Sequence, residues 1–388
     1  MPRDMIAKRE KELPASRIGR LLKIAEEDKS IISLGPGEPD FGAPKNVIRS
    51  AKKALDRGYT HYSPPVGRAE LRGELIRKLK RENGIKAGDE NILVTTGSTE
   101  GILLALMCLL DDGEGVIIPD PGFLAYKPVV EVLNGLPLPV HLREEDNFQY
   151  DTDRMKEIII PEKTKAIILN TPSNPTGTVF SRKSLEEVAD FAVEHNLLVI
   201  SDEAYEKFVY GGAKHVSIGS MNGMEDRVIT LHSISKSYAM AGFRVGFATG
   251  PEKVIGAMAK MHVFTTLSAP TIGQVAATEA LRSGQRDSER MVREYDRRRR
   301  YIYRRVNEME GFESREPQGA FYLFPRFGFR MKSEKFADLL LSKAKVAVVP
   351  GTEFGRFGEG YIRLSYASPY SKIVQAMGRI EKAVKRLK

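Results

Sequence analysis

The chain has one cysteine, Cys108, and its longest unbroken apolar run is "ILLALMCLL", from Ile102 to Leu110. A single thiol excludes an intrachain disulfide, and its place inside an apolar helical run makes it a packing residue and not a catalytic nucleophile. The run is about half of what a bilayer-spanning helix needs, so no membrane span is expected. The N-terminal stretch "MPRDMIAKREKELPASRIGRLLKIAEEDKS" mixes charges with single apolar residues and lacks the hydrophobic centre of a secretory signal. A cytoplasmic protein is expected. Internal repeats, low-complexity tracts and Gly/Ser linkers are also missing. Acids are in the minority, with 51 Asp and Glu against 60 Lys and Arg, a formal charge of +9. The densest basic stretch, "DRRRRYIYRR" (Asp296 to Arg305), is flanked by Glu289, Glu294 and Glu308 and carries a helical apolar stripe of Tyr295, Ile302 and Val306. It therefore reads as the solvated face of a long helix, and no nucleic-acid partner is expected.

With 388 residues, 41% hydrophobic and 29% charged, the chain has an ordinary globular composition and favours two domains. Short β-rich apolar runs at Asn91–Thr95, Gly115–Ile118, Lys165–Asn170, Leu197–Ser201, Arg227–His232 and Val245–Thr249 alternate with amphipathic segments. This pattern predicts an α/β fold with a mostly parallel sheet covered on both faces by helices. Ser184 with Glu187 predicts a capping box for a helix ending near Asn196. Beyond about residue 287 a long charged helix, short strands at "VAVVP" and "GYIRLSYA" and a terminal helix predict a smaller α+β unit. The expected division is a large domain at 46–286 and a small domain built from 1–45 and 287–388.

Ligands of open α/β sheets bind beyond the carboxyl ends of the strands. Those ends present Gly97-Ser98-Thr99 opening a helix, suited to a phosphate; Phe123 in "PDPGF"; Asn174 in "NTPSNPTG"; Asp202 and Tyr205 in "SDEAY"; and Lys236 in "HSISK". A carboxylate at the end of a buried strand is costly without a positive partner. A phosphate cradle, an aromatic face, an amide, an acid, a phenol and an amine on one rim suit pyridoxal 5′-phosphate, which needs an amine, an acid at its ring nitrogen and a phosphate anchor.

The segment S-x-S-K with arginine eight positions on and glycine ten on, together with "SNPTG", "SDEAY" and the flanking "SLGPGEPDFGAP" and "YIRLSYA", resembles the class I/II, fold-type I aminotransferases of the aspartate/aromatic superfamily. The resemblance runs almost end to end. It implies a seven-stranded sheet, a Schiff base between Lys236 and the cofactor, and Lys236 as the proton-transfer group. It further implies Asp202 at the ring nitrogen, Asn174 and Tyr205 at the ring oxygen, and Phe123 against the ring. The phosphate would be held by Gly97, Ser98, Thr99, Ser233 and Arg244. Arg363 in "YIRLSYA", with Gly37 and Asn174, would receive the substrate α-carboxylate. Tyr62 in "THYSPPVG" would reach the phosphate of the neighbouring subunit of a homodimer, and Ser268 in "TLSAP" is a further candidate for that role. No metal is implied.

The implied activity is transfer of an α-amino group to a 2-oxo acid in a ping-pong cycle, with glutamate/2-oxoglutarate as one pair and aromatic amino acids or aspartate as the other. Lyase action on the same scaffold is the nearest rival, since it would use the same Lys236, Asp202 and Arg363. A transcription regulator with an aminotransferase-like domain is the distant one; about thirty residues precede "SLGPGEPDF", too few for a winged helix module.

Overall fold

The computed structural model describes residues 5–13, 19, 24, 27–385 and 387. Its centre is a sheet of seven strands: β1 (Ile92–Thr95), β2 (Gly115–Asp120), β3 (Leu136–His141), β4 (Thr164–Asn170), β5 (Leu198–Asp202), β6 (Val228–Ser233) and β7 (Gly246–Thr249). They lie in the order β1-β7-β6-β5-β4-β2-β3, and only β7 runs antiparallel to its neighbours. Successive side chains go to opposite faces. Ile118, Ile168 and Ile200 pack beneath the helix α1 (Ser98–Leu109), while Ile117, Ile167 and Val199 pack with Leu185 and Phe191 of α2 (Arg182–Glu194) on the other side. Burial on both faces is why these strands read as continuous apolar runs.

The apolar-run reading misses β3, whose sequence "LPLPVH" carries two prolines. Proline cannot donate to a ladder and is confined to edges, and β3 is an edge strand pairing with β2 alone. The cap of α2 also differs from expectation: the side chain of Ser181 accepts from the Ser184 amide at 3.1 Å, and Ser184 is buried inside the first turn. The helix starts one turn earlier because "FSRKS" offers two serines, and only the first precedes the charged face.

The short helix α3 (Ile234–Ser237) follows β6 directly, and the long helix α4 (Gln285–Asn307) begins the C-terminal unit. There the basic stretch departs from a purely solvated face. Arg298 and Arg299 are buried, at 5% and 4% exposure. Arg298 donates to Asp40 at 2.8 Å, which also accepts from the Tyr295 hydroxyl at 3.1 Å, and Arg299 donates to Asp296 at 2.8 Å. The stripe of Tyr295, Ile302 and Val306 brackets positions 298 and 299, so the 3.6-residue period carries these two arginines inward with it. Asp40 lies in the N-terminal segment, which also joins the C-terminal unit through the parallel pair Ile32–Ser33 and Val346–Ala347. Cys108 is half-buried and burial pushes its thiol up to about 11. Among the described residues no helix is long and apolar enough to cross a membrane.

Candidate active site

The carboxyl ends of β1, β4, β5 and β6 converge on one cavity. β1 leads through Thr96 to Gly97, whose φ of +87° is unfavourable for residues with a Cβ. A Cβ there would also lie 2.6 Å from Nη2 of Arg244. The turn starts α1 so that its first amides face the cavity unpaired, a seat for an anion. Arg244 donates to the carbonyls of Ala241 at 3.0 Å and Thr96 at 3.2 Å. No carboxylate forms an ion pair with it among the described residues. The hydroxyl of Ser235, buried on α3 and lining the same cavity, has no hydrogen-bond partner among the described residues. Free amides, an arginine without an acid and an orphaned hydroxyl are what a phosphate group would satisfy.

At the end of β5, Asp202 is buried at 4% exposure. Its carboxylate accepts from the Tyr126 hydroxyl at 2.8 Å and the Ala204 amide at 3.2 Å. Burial pushes its carboxyl up to about 6 against the pull of these donors, so the ionised form gains from a further cation. Asn170 donates to the Asp202 carbonyl at 3.0 Å and accepts from the Asn174 amide at 2.8 Å, setting the turn after β4. Asn174 in turn accepts from Arg363 at 2.9 Å. Arg363 is fully enclosed, with Tyr322 and Phe354 rings 4.4 and 4.8 Å from its guanidinium. It donates to the Gly35 carbonyl at 2.5 Å, and its Nε has no partner among the described residues. A buried guanidinium with an orphaned N–H and no acid beside it fits a carboxylate ligand. The hydroxyls of Tyr205 and Tyr322 share a hydrogen bond at 2.7 Å, and burial with Tyr322 as neighbour holds Tyr205 well above the usual phenol value. It is a proton donor at neutral pH.

Lys236 stands between these groups and donates to the Gly37 carbonyl at 2.6 Å. Burial pushes its ammonium down to about 8, helped by Arg244 and Arg363 and opposed by Glu38 and Asp202. A usable fraction of free amine therefore exists at neutral pH.

Every expected site residue except Tyr62 and Ser268 lines this one cavity. Tyr62 is 83% exposed, and Ser268 lies in the loop before helix Thr271–Ser283. Residues 29–380 match the family model described as Aminotransferase class I and II. The chain belongs to the class I and II aminotransferases. This aminotransferase is 46% identical over 377 residues to an aspartate aminotransferase of Pyrococcus abyssi, the match covering 96% of each chain. It is equally similar, at 46% and 96% of each chain, to aromatic-amino-acid aminotransferase 2 of Thermococcus litoralis. Among solved structures it resembles the aspartate aminotransferase from Thermus thermophilus with maleate, at 34% identity and a TM-score of 0.92 over 98% of this chain and 100% of that one.

Sequence reading missed Tyr126, Asn170, Ser235 and Tyr322. Tyr126 was open to discovery, lying three residues beyond Phe123 in "PGFLAY"; Tyr322 was not, because only the folded chain brings "AFYLF" to the cavity. It also missed a buried network of this aminotransferase beneath the rim. Glu203 and Glu206 alternate with Asp202 and Tyr205 but face away from the cavity. Glu206 pairs with Lys78 and accepts from Asn83 at 2.8 Å, while Glu203 meets His215 at 2.8 Å. Burial pushes the Glu206 carboxyl up, but Lys78 and then His232 outweigh it and hold it well below the ordinary value of 4.5. The pair therefore supports the fold above that value, and the support is lost as pH falls through the depressed pKa. Lys78→Met is expected to cost about 3 kcal/mol or more by stranding a buried carboxylate, read as a lowered denaturation midpoint at neutral pH.

Proposed function

We propose that this aminotransferase carries pyridoxal 5′-phosphate on Lys236 and moves an α-amino group to a 2-oxo acid in two half-reactions, with glutamate/2-oxoglutarate as one pair and an aromatic amino acid or aspartate as the other. The observation that carries this reading is the meeting of Lys236, Asp202, Arg244 and Arg363 on a single cavity, each with a charge or proton that no protein partner balances fully. When bound, the cofactor supplies an aldehyde that couples to amines and a ring that withdraws electrons.

The residues would then divide the work as follows. Arg244, Ser98, Thr99, Ser233 and the amides about Gly97 hold the phosphate, and Ser235 gains the partner it lacks. Asp202, fixed by Tyr126, keeps a proton on the ring nitrogen. Asn174 and Tyr205 bond the ring oxygen, and Phe123 covers the ring face. Arg363 receives the α-carboxylate beside Gly37 and Asn174, which orients the substrate Cα toward Lys236. The freed Lys236 amine takes the Cα proton and returns it. Tyr62, a large aromatic side chain left 83% exposed, supports the homodimer in which it reaches the neighbouring site, with Ser268 a second candidate. The division at 46–286 and at 1–45 with 287–388 places Lys236 on one domain and Arg363 on the other.

Among the described residues the cavity's cations are Lys236, Arg244 and Arg363. None is left for a side-chain carboxylate within this chain, which favours neutral side chains over strict aspartate selectivity. The test is a titration of the cofactor-loaded protein with a panel of amino acids plus 2-oxoglutarate. One 2-oxo acid and one glutamate should form per donor consumed; ammonia with pyruvate would establish lyase action in its place.

A further inference from the structure

The two halves of the cavity belong to different parts of the chain, and one buried acid joins them. Arg363 sits on the strand Ile362–Ser365, paired antiparallel with Val349–Pro350 so that Val349 lies opposite Arg363. The long tip of this hairpin, residues 351–361, reaches back to the sheet. There Asp120, the last residue of β2 and 5% exposed, accepts from the amides of Arg356 at 3.0 Å and Phe357 at 3.1 Å. The Phe357 ring stacks on His141, at the end of β3, with centroids 3.7 Å apart and planes within 7°. The Gly122 amide donates to the Phe354 carbonyl at 2.8 Å, tying the loop that carries Phe123 to the same tip. Gly355 lies between these contacts at φ +127°, and a Cβ on it would overlap the Asp120 carboxylate. Phe354 is buried and packs on the Arg363 guanidinium, 4.8 Å from its ring centre.

We propose that Asp120 is a positioning residue for substrate: by clamping the tip of the Arg363 hairpin to the end of β2, it holds Phe354 against Arg363 and keeps the guanidinium where an α-carboxylate must land. This rests on the reading of Arg363 as the α-carboxylate seat. Asp120 does not line the cavity, and it suits the work chemically. Two amide donors converge on its two oxygens, one each, an arrangement that a neutral amide side chain would meet with a donor against a donor. Burial pushes its carboxyl up to about 6 against the pull of those amides, so the accepting form predominates at neutral pH. An α-carboxylate is common to every amino acid and 2-oxo acid substrate. Loosening its seat therefore removes binding shared by ground and transition states, which raises KM and spares kcat.

The experiment compares Asp120→Asn with wild type in the cofactor-loaded enzyme. KM for the amino acid and for the 2-oxo acid should rise together by about tenfold, the scale of lost charge-assisted hydrogen bonds, with kcat changed less than about twofold. The dissociation constant for pyridoxal 5′-phosphate, measured by fluorescence on reconstitution, should not move. Unchanged KM would overturn the proposal, as would a KM rise accompanied by weaker cofactor binding, which marks a general structural role. Gly355→Ala attacks the same contact from the hairpin side and should reproduce the split; it decides the matter if Asp120→Asn does not fold. Failure of both variants to fold would also overturn the proposal, by making the contact a requirement of folding. Arg363→Lys is measured alongside: if it leaves KM unaltered, the carboxylate seat itself is misassigned, a failure separable from that of Asp120.

Discussion

Lys236→Ala is expected to lower kcat by about four orders of magnitude, the upper range for removal of a positioned acid–base group. Lys236 is the one lysine lining the cavity among the described residues, so no neighbouring amine can substitute. The proposed phosphate seat, at α1, Ser233 and Arg244, does not include the lost side chain. The variant should therefore still retain the cofactor, without a covalent link, through dialysis. Turnover at wild-type rate would remove Lys236 from the proposed reaction; loss of the cofactor together with turnover would show that the cradle at Gly97 is weaker than its geometry indicates. The charge environment suits the proton transfer proposed for Lys236. Burial, Arg244 and Arg363 bring it down to about 8, near the pH at which it must both give and take a proton.

Asp202→Asn is expected to lower kcat by about two to three orders of magnitude, the usual loss when one preorganised electrostatic partner is removed. The amide keeps the volume, accepts from the Ala204 amide through its oxygen and can donate to the Tyr126 hydroxyl oxygen, but it cannot hold a proton on a ring nitrogen. A second measurement gives this prediction its sign. Folding raises the Asp202 carboxyl from 3.8 to about 6. The group therefore subtracts stability progressively as pH climbs through that window, and the loss is complete above it. The cofactor-free Asn variant escapes this loss and should unfold at a denaturant concentration no lower than cofactor-free wild type at neutral pH, whereas the loaded enzymes should show the reverse order. A variant that lost activity and cofactor-free stability together would show that Asp202 supports the fold more than the reaction.

The sheet and the contents of its rim were legible because both follow from short-range rules. Buried parallel strands have to be apolar throughout, so Ile167 to Leu169 and Val199 to Ile200 stand out, and the residues that end each run must lie along one edge. The edge strand β3 was hidden by Pro137 and Pro139, which only an unpaired side can accept. Arg298 and Arg299 were legible as helix and illegible as buried ions, since beyond the same-helix Glu294 and Asp296 each takes a partner from outside the helix, Asp40 and Glu316. The same distance concealed Tyr322 beneath Arg363, Lys78 beneath Glu206, and the grip of Asp120 on residues 356 and 357. Alternation along "SDEAYE" does say that Asp202 and Glu203 face opposite ways. Which of the two faces is the cavity requires knowing what covers each side.

The reversed direction of β7 reaches beyond topology. A parallel neighbour would oblige the chain to travel back along the whole sheet before starting again. By turning at once after Arg244, residues 228–249 instead form a wide hairpin that offers its hydroxyl, its amine and its guanidinium from a single continuous piece of about twenty residues. The relative placement of Ser233, Lys236 and Arg244 at the cavity therefore follows from one local turn of the chain and not from the meeting of distant segments.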